Sequence, residues 1–358
     1  MKLLAKHFVG LIALLVKGNN DSFRGEVDAR TIASATVKGN NDHSVQGGVV
    51  DATTTASATV VNAVSPPPPP SSSSSSPMPV PMNIIVIGGS SGMGKAAAIA
   101  CVQKGGRVLI VSRSSDKLET AAHDIRAHIP ARRTTPPLSA SSSSSLVIPV
   151  VETAVLDATN EEDVKDFVST VLDTRSGWDG LVISAAGKAP HGSIEELSTE
   201  ATREFFDSKF WSAYYCAKHI GPRLTDGSGI VFVAGVLNRR PGRNCLPLAT
   251  TNGALEGLTR ALALELGPRV RVNCLSPGFC DTARFDHLAP ATKAAMLAHT
   301  AASLPLQRTG RPEDMGEAIR YLLTAKFCTG VVLDVDGGHG IRQYANPTND
   351  PMREKDKG

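Results

Sequence analysis

A glycine-rich turn held between two wholly apolar runs constrains this chain more than any other feature. NIIVIGG at 83–89 is unbroken by a charge until its glycines, and RVLIVSR at 107–113 repeats the texture. Such runs read as strands buried on both faces, the condition of a parallel sheet. Between them KAAAIACVQKGG, at 95–106, has the length and the closing glycines of a helix. Strand, loop, helix and strand are thus complete between 83 and 113.

The loop itself, GGSSGMG, carries chemistry. Gly88, Gly92 and Gly94 permit a tight turn and a close approach of backbone to a ligand phosphate. Ser90, Ser91 and Met93 stand between them and complete the candidate cradle. The helix behind the loop adds free N–H groups and a partial positive charge, which favour a pyrophosphate. The second strand ends in Ser112-Arg113. A carboxylate there would bond a ribose 2′-hydroxyl, whereas a guanidinium pairs with a 2′-phosphate. No acid occupies the strand end, and Asp116 lies further on, in the next helix. The reading favours NADP(H) over NAD(H), with a solvated surface arginine as the plain alternative for Arg113.

The alternation continues to the end of the folded region. A helix is expected over 115–128, a strand within 146–159 ending near Asp157, and strands at 180–187, 229–235, 269–278 and 329–338. Helices fall between them. The expected fold is α/β, a Rossmann-type doubly wound parallel sheet forming a single domain over 81–342, with ligands at the carboxyl ends of the strands. ARRTTPPLSASSSSS at 131–145 is read as a disordered insertion and 343–358 as a polar tail.

Residues 1–80 differ in kind. VKGNND occurs at 16–21 and 37–42, and DARTIASATV at 28–37 returns as DATTTASATV at 51–60. Two copies rich in Gly, Asn, Thr and Ala are too few for a solenoid. They suggest a disordered low-complexity tail, joined to the domain by the linker SPPPPPSSSSSSP. Lys2 and Lys6 precede FVGLIALLV at 8–16, a weak targeting or membrane-contact segment too short for a stable membrane span. Cytoplasmic residence is the default expectation. A net charge of +3 gives no reason to expect a nucleic-acid partner. The six cysteines form no CxxC pair, which argues against a zinc site and gives no disulfide framework; no metal is expected.

In this order the motifs resemble the short-chain dehydrogenase/reductase family over residues 82 to about 342. Gly88, Gly92 and Gly94 match its TGxxxGxG loop, with Ile87 at the threonine. Asp157 matches its adenine-contacting aspartate. Ser184-Ala185-Ala186-Gly187 matches its NNAG turn with both asparagines replaced. Pro277, Gly278 and Thr282 match its PG…T segment, which lies over the nicotinamide side. LQRTGRPEDMGEAIRYLL at 306–323 and Asp336-Gly337-Gly338 match its C-terminal signature.

The resemblance implies a catalytic tyrosine, a lysine four residues on, a serine and an asparagine. The helix that should hold the first two is PLATTNGALEGLTRALALELG at 247–267. Leu255, Leu258, Leu262 and Leu266 recur at helical spacing, and Glu256 and Arg260 are placed to pair on its outer face. ALEGLTRALALEL aligns without a gap, so the tyrosine falls on Leu248 and the lysine on Asn252. The serine falls on Gly235 and the asparagine on Lys209. Leucine cannot transfer a proton, and Asn252 can only hydrogen-bond a ribose hydroxyl. Lys209 adds a group, and Asp207, Lys209 and Trp211 fit the D-x-K-x-W pattern of a divergent branch that lacks the tyrosine. An ammonium desolvated near the nicotinamide would have a lowered pKa and could act as the acid. A lysine on a helix is otherwise a solvated charge.

Weaker candidates surround this one. Lys188 and His191 are read as loop residues at the pocket mouth, Thr251 and Ser184 as groups able to orient a carbonyl. Tyr214 and Tyr215 are read as packing residues, and Arg239, Arg240 and Arg243 as a basic loop able to meet an anion. Two functions stay open. One is an atypical NADP(H)-dependent oxidoreductase reducing a carbonyl or oxidising an alcohol of a small organic metabolite. The other is an inactive pseudoenzyme, serving as a dinucleotide-binding or scaffold subunit. The resemblance also implies a homodimer or homotetramer.

Overall fold

The computed structural model describes residues 81–130 and 150–341. The tail at 1–80, the insertion at 131–145 and the terminus at 343–358 lie outside the described residues. Seven strands form one parallel sheet: β1 (Asn83–Ile87), β2 (Arg107–Ser112), β3 (Val151–Val155), β4 (Trp178–Ile183), β5 (Leu224–Val233), β6 (Val270–Pro277) and β7 (Val332–Val335). Their order across the sheet is β3-β2-β1-β4-β5-β6-β7. The chain winds outward from β1 to β3, then returns to start again on the other side of β1. Ile84 therefore pairs with Val108 on one edge and with Gly180 on the other. The crevice at a reversal of this kind opens at the carboxyl ends of β1 and β4.

Successive side chains of a strand point to opposite faces, so β1 serves two cores. Ile85 and Ile87 enter one with Leu109 and Val111. That layer is closed by α3 (Glu161–Phe167, prolonged by a π turn at Val168–Leu172), α5 (Ser212–Ile220) and α6 (Leu246–Leu266). Ile84 and Val86 enter the other with Val108 and Ile110, under α1 (Gly92–Val102), α2 (Ser115–Ala127) and α8 (Pro312–Thr324). Two further helices, α4 (Thr199–Phe206) and α7 (Pro290–Ala302), complete the set used below.

Most expected elements fall within a few residues of their predicted bounds. α1 starts earlier than its apolar run, at Gly92, so Gly94 sits in the first helical turn rather than before it. β3 is short, and Asp157 stands two residues beyond its end. Among the described residues no helix is long and apolar enough to cross a membrane.

α1 and α8 meet without an intervening side chain. A Cβ at Gly316 would lie 2.6 Å from the carbonyl oxygen of Ala96. Backbone cannot yield as a flexible side chain does, so Gly316→Ala forces the two helices apart, although alanine is the better helix former. The expected loss is about 2 kcal/mol, the scale of overpacking in a tight core, read as a lower urea midpoint with an unchanged slope.

Candidate active site

Glycine geometry builds the floor of the crevice. Gly88 leaves β1 at φ +83°, with its N–H donated to Val111 O at 2.8 Å. A Cβ there would lie 2.6 Å from the backbone N of Ala185, so the glycine loop and the turn after β4 touch directly. A Cβ on Gly94 would run into Gly88 O. Ser91 precedes α1 without bonding its first N–H groups through its side chain. The helix therefore presents its positive end to the loop formed with Ser90, Gly92 and Met93. Thr282 reaches this place from the loop after β6: its Cγ2 would be 3.8 Å from a Cβ on Gly92. Pro277 is buried, and Gly278 packs so closely on Asp336 that a Cβ would stand 2.5 Å from its Cα.

At the other end, Arg113 is exposed just past β2. Arg113 and Asp157 border one cleft of about 510 Å³ between the strand ends and α3. Asp157 Oδ1 accepts from the N–H (3.1 Å) and the hydroxyl (2.8 Å) of Thr159, which fixes the carboxylate. Between the two ends lies the turn Ser184–Gly187. Ser184 donates its N–H to Ile87 O at 2.9 Å. Ala185 is half-buried and Ala186 exposed. Gly187 donates its N–H to Ser208 Oγ at 3.0 Å, and Ser208 in turn donates to Phe205 O at 3.0 Å.

Ser208 belongs to a π turn, Asp207–Trp211, inserted between α4 and α5. One residue is added there to the regular helix, a device that often accompanies a functional position. Its effect is visible in the next residue. Lys209 is 6% exposed, and its Nζ donates to Val233 O and Ala234 O, both at 3.4 Å. Burial pulls its pKa down from 10.5 to about 8; the Cys274 thiol opposes the shift and the Arg284 guanidinium adds to it. Asp207 and Trp211, its companions in the pattern, are both exposed. Trp211, Tyr214 and Tyr215 form a ring cluster, so the two tyrosines do pack.

From the other side α6 brings Asn252 to the same end of β5. Asn252 is 1% exposed, and among the described residues its Oδ1 meets no donor. Its amide nitrogen would be 2.9 Å from a Cβ on Gly235. Gly235 has φ +154° and ψ 157°, a backbone region open essentially to glycine alone. A side chain at 235 is therefore disfavoured by the backbone and would require the Asn252 amide to shift. Leu248 is half-buried one turn before Asn252. Thr251 is fully buried, and its hydroxyl is spent on Pro247 O at 2.9 Å, so it orients nothing in the crevice.

Two expectations are corrected. Glu256 does not pair with Arg260 on an outer face. It is 5% exposed and accepts from Arg239 Nη1 at 2.6 Å. The inward stripe of α6 runs through Asn252, Leu255, Glu256, Thr259 and Ala263, with the later leucines on its flank. Arg239 accordingly meets no substrate anion: it also bonds Ser276 at 2.8 Å and Asp334, tying α6 to β6 and β7. Arg243 and Lys188 are exposed. His191 is less idle than a loop residue, since its ring meets Asn244 O, Cys245 Sγ and Arg284. Ser208, Cys245 and Arg284 carried no sequence signal; contacts that join distant segments make them visible.

The sequence model described as enoyl-(acyl carrier protein) reductase matches residues 88–340. A short-chain dehydrogenase/reductase of Stachybotrys chlorohalonatus, ATR9, is 32% identical over 259 residues, 72% of this chain and 96% of the relative. The chain belongs to the short-chain dehydrogenase/reductase family. Its general class is that of an oxidoreductase. Among solved structures, a small-chain dehydrogenase in complex with NADPH is 27% identical, covering 72% of this chain and 97% of its own, with a TM-score of 0.55. An NADPH-bound short-chain oxidoreductase of Pseudomonas aeruginosa, described as containing an atypical catalytic centre, is 25% identical, covering 73% and 98%, with a TM-score of 0.63.

Burying Lys209 has a thermodynamic signature. Between pH 8 and 10.5 the unfolded chain holds the lysine proton more firmly than the folded one, so wild-type stability rises with pH across that window. Lys209→Met removes the penalty. The variant should be more stable than wild type by about 3 kcal/mol at pH 7, and the difference should vanish above pH 10.5. Urea unfolding at the two ends of the range checks this; a pH-independent difference would mean a solvated amine.

Proposed function

We propose that this chain is an atypical NADP(H)-dependent oxidoreductase that reduces a carbonyl, or oxidises an alcohol, of a small organic molecule, with Lys209 moving the proton. One observation carries the reading: an ammonium is buried at the carboxyl end of β5 with its pKa brought to about 8. Among the described residues the Lys209 ammonium meets two strand carbonyls and no carboxylate, a costly arrangement for a buried charge, and perturbed groups of this kind gather at reaction centres.

The residues fit a dinucleotide. Gly88 and Gly94 leave room that any Cβ would fill, and the uncapped start of α1 suits a pyrophosphate. Arg113 suits a 2′-phosphate, and β2 itself ends without an acid, while Asp157, Asp163 and Asp166 line the same cleft. Asp157 keeps its Oδ2 for an adenine amine. Among the described residues Asn252 Oδ1 is a buried acceptor lacking a donor, a state costing about 1–3 kcal/mol that a ribose hydroxyl would relieve. When bound, the cofactor supplies or accepts the hydride. Lys209, charged below pH 8, gives its proton to the oxygen of the carbonyl as that carbon is reduced. The amine left behind is recharged from water. In the oxidative direction the neutral amine accepts the hydroxyl proton.

Leu248 and Gly235 favour a second reading, because the family resemblance sets them where its tyrosine and serine hydroxyls usually stand. Under it the chain binds the dinucleotide and turns nothing over. Wild-type full-length protein, titrated with NADPH and NADH and then assayed on aldehydes, ketones and quinones, separates the two. Arg113→Ala should weaken NADPH by about tenfold or more, the worth of a charge-assisted contact, and leave NADH nearly unaffected. The rate of reduction should fall above about pH 8. Lys209→Met should lower kcat by roughly 10²–10⁴ with little change in NADPH affinity. An undiminished rate in that variant would remove Lys209 from the chemistry.

A further inference from the structure

Two serines hold the π turn that carries Lys209. Ser212 opens α5 and is buried. A regular helix gives each N–H to the carbonyl four residues back. The Ser212 N–H reaches one residue further, to Asp207 O. It thereby leaves Ser208 O, and that carbonyl accepts the Ser212 hydroxyl at 2.8 Å. The side chain makes good the bond that its own backbone has moved elsewhere. Ser208 works on the other side of the turn. Its hydroxyl donates back to Phe205 O and accepts the N–H of Gly187, both at 3.0 Å. A Cβ on Gly187 would lie 2.7 Å from that hydroxyl, so the turn after β4 stands directly against it.

The ammonium does not anchor itself. Its two carbonyl contacts, at 3.4 Å, lie beyond the usual range of an N–H···O bond. Its depth is therefore set by the backbone that carries it. Phe205 is buried at the end of α4, and Ala213, Cys216 and Ile220 are buried along α5. One residue corresponds to about 100° of helical rotation. A turn that regularised would rotate α4 against α5 by about that angle, and Lys209 stands between them.

We infer that Ser208 and Ser212 are positioning residues for Lys209: Ser212 keeps the π turn from closing into regular helix, and Ser208 ties it to the turn after β4, so that the ammonium stays at the carboxyl end of β5. This rests on the proposed role of Lys209 as proton donor and says what aims it. Neither serine transfers the proton; each acts through the backbone of the lysine.

The titration of Lys209 tests this, read by NMR on the full chain carrying isotope-labelled lysine. Its signal is the one that disappears in Lys209→Met. In wild type the midpoint should lie near 8. Ser212→Ala and Ser208→Ala should each raise it to about 9 or above, toward the value of a solvated lysine. The groups that act on Lys209 from elsewhere, the Cys274 thiol of β6 and Arg284 after it, are untouched by either change. Ser212→Thr keeps the hydroxyl and should keep the wild-type midpoint. Ser169, which bonds back to Asp166 O at 3.0 Å in the π turn at Val168–Leu172, is the control: Ser169→Ala should leave the midpoint where it is. The fall of the reduction rate with pH should move with the midpoint in the two alanine variants. A wild-type midpoint near 8 that neither alanine variant moves would overturn the inference and leave Lys209 as the proposed acid. A wild-type midpoint like that of a solvated lysine would bring down both.

Discussion

The contact between Gly88 and the backbone of Ala185 sets the terms for everything around it. β1 is paired on both edges, and the chain reverses its winding about it. Its exit must therefore pass between β2 and the turn after β4. A Cβ at 88 would press on that turn at 2.6 Å, so only glycine leaves the strand here. From this single passage follow the left-handed turn, the close start of α1 and the cradle proposed for a phosphate. The same turn, through Gly187 and Ser208, fixes the π turn that carries Lys209. Cofactor cradle and proposed acid are thus two ends of one chain of backbone contacts.

The site also has an energetic balance. A buried Ile or Val contributes about 2 kcal/mol, and β1 alone places four such residues out of water. The roughly 3 kcal/mol spent on an ammonium in the same interior is a small part of that reserve. A domain with so continuous a sheet can hold one unpaired lysine without losing its fold. The Arg239 network helps in a different way. By joining Glu256, Ser276 and Asp334, it keeps α6 pressed on β6 and β7, which holds Asn252 at its depth.

What could be read from the sequence was what depends on neighbours in the chain. The glycines of the loop answer a local need for tight turns, and the sheet follows from apolar runs of the right length. The leucines of α6 give a true helix but a face rotated from the buried stripe, because spacing alone sends Glu256 to water and to a partner four residues on. Its partner, Arg239, lies 17 residues before it, and no local rule points there. The π turn was equally hidden, since its extra residue is held by what packs around it rather than by a propensity of DSKFW. Gly235 was legible as a missing serine and not as a backbone that disfavours one. Arg284 is visible only because the fold sets it against His191, 93 residues away.

Gly235 and Asn252 have a consequence for which substitutions this site can take. A side chain at 235 would meet the amide of Asn252, and the backbone at 235 lies in a region that glycine favours. A serine at 235 would strain the turn and require the Asn252 side chain to shift. A lysine at 252 would bring a second buried ammonium to the strand end already held by Lys209. The two positions are therefore coupled: a change at either one is felt at its neighbour.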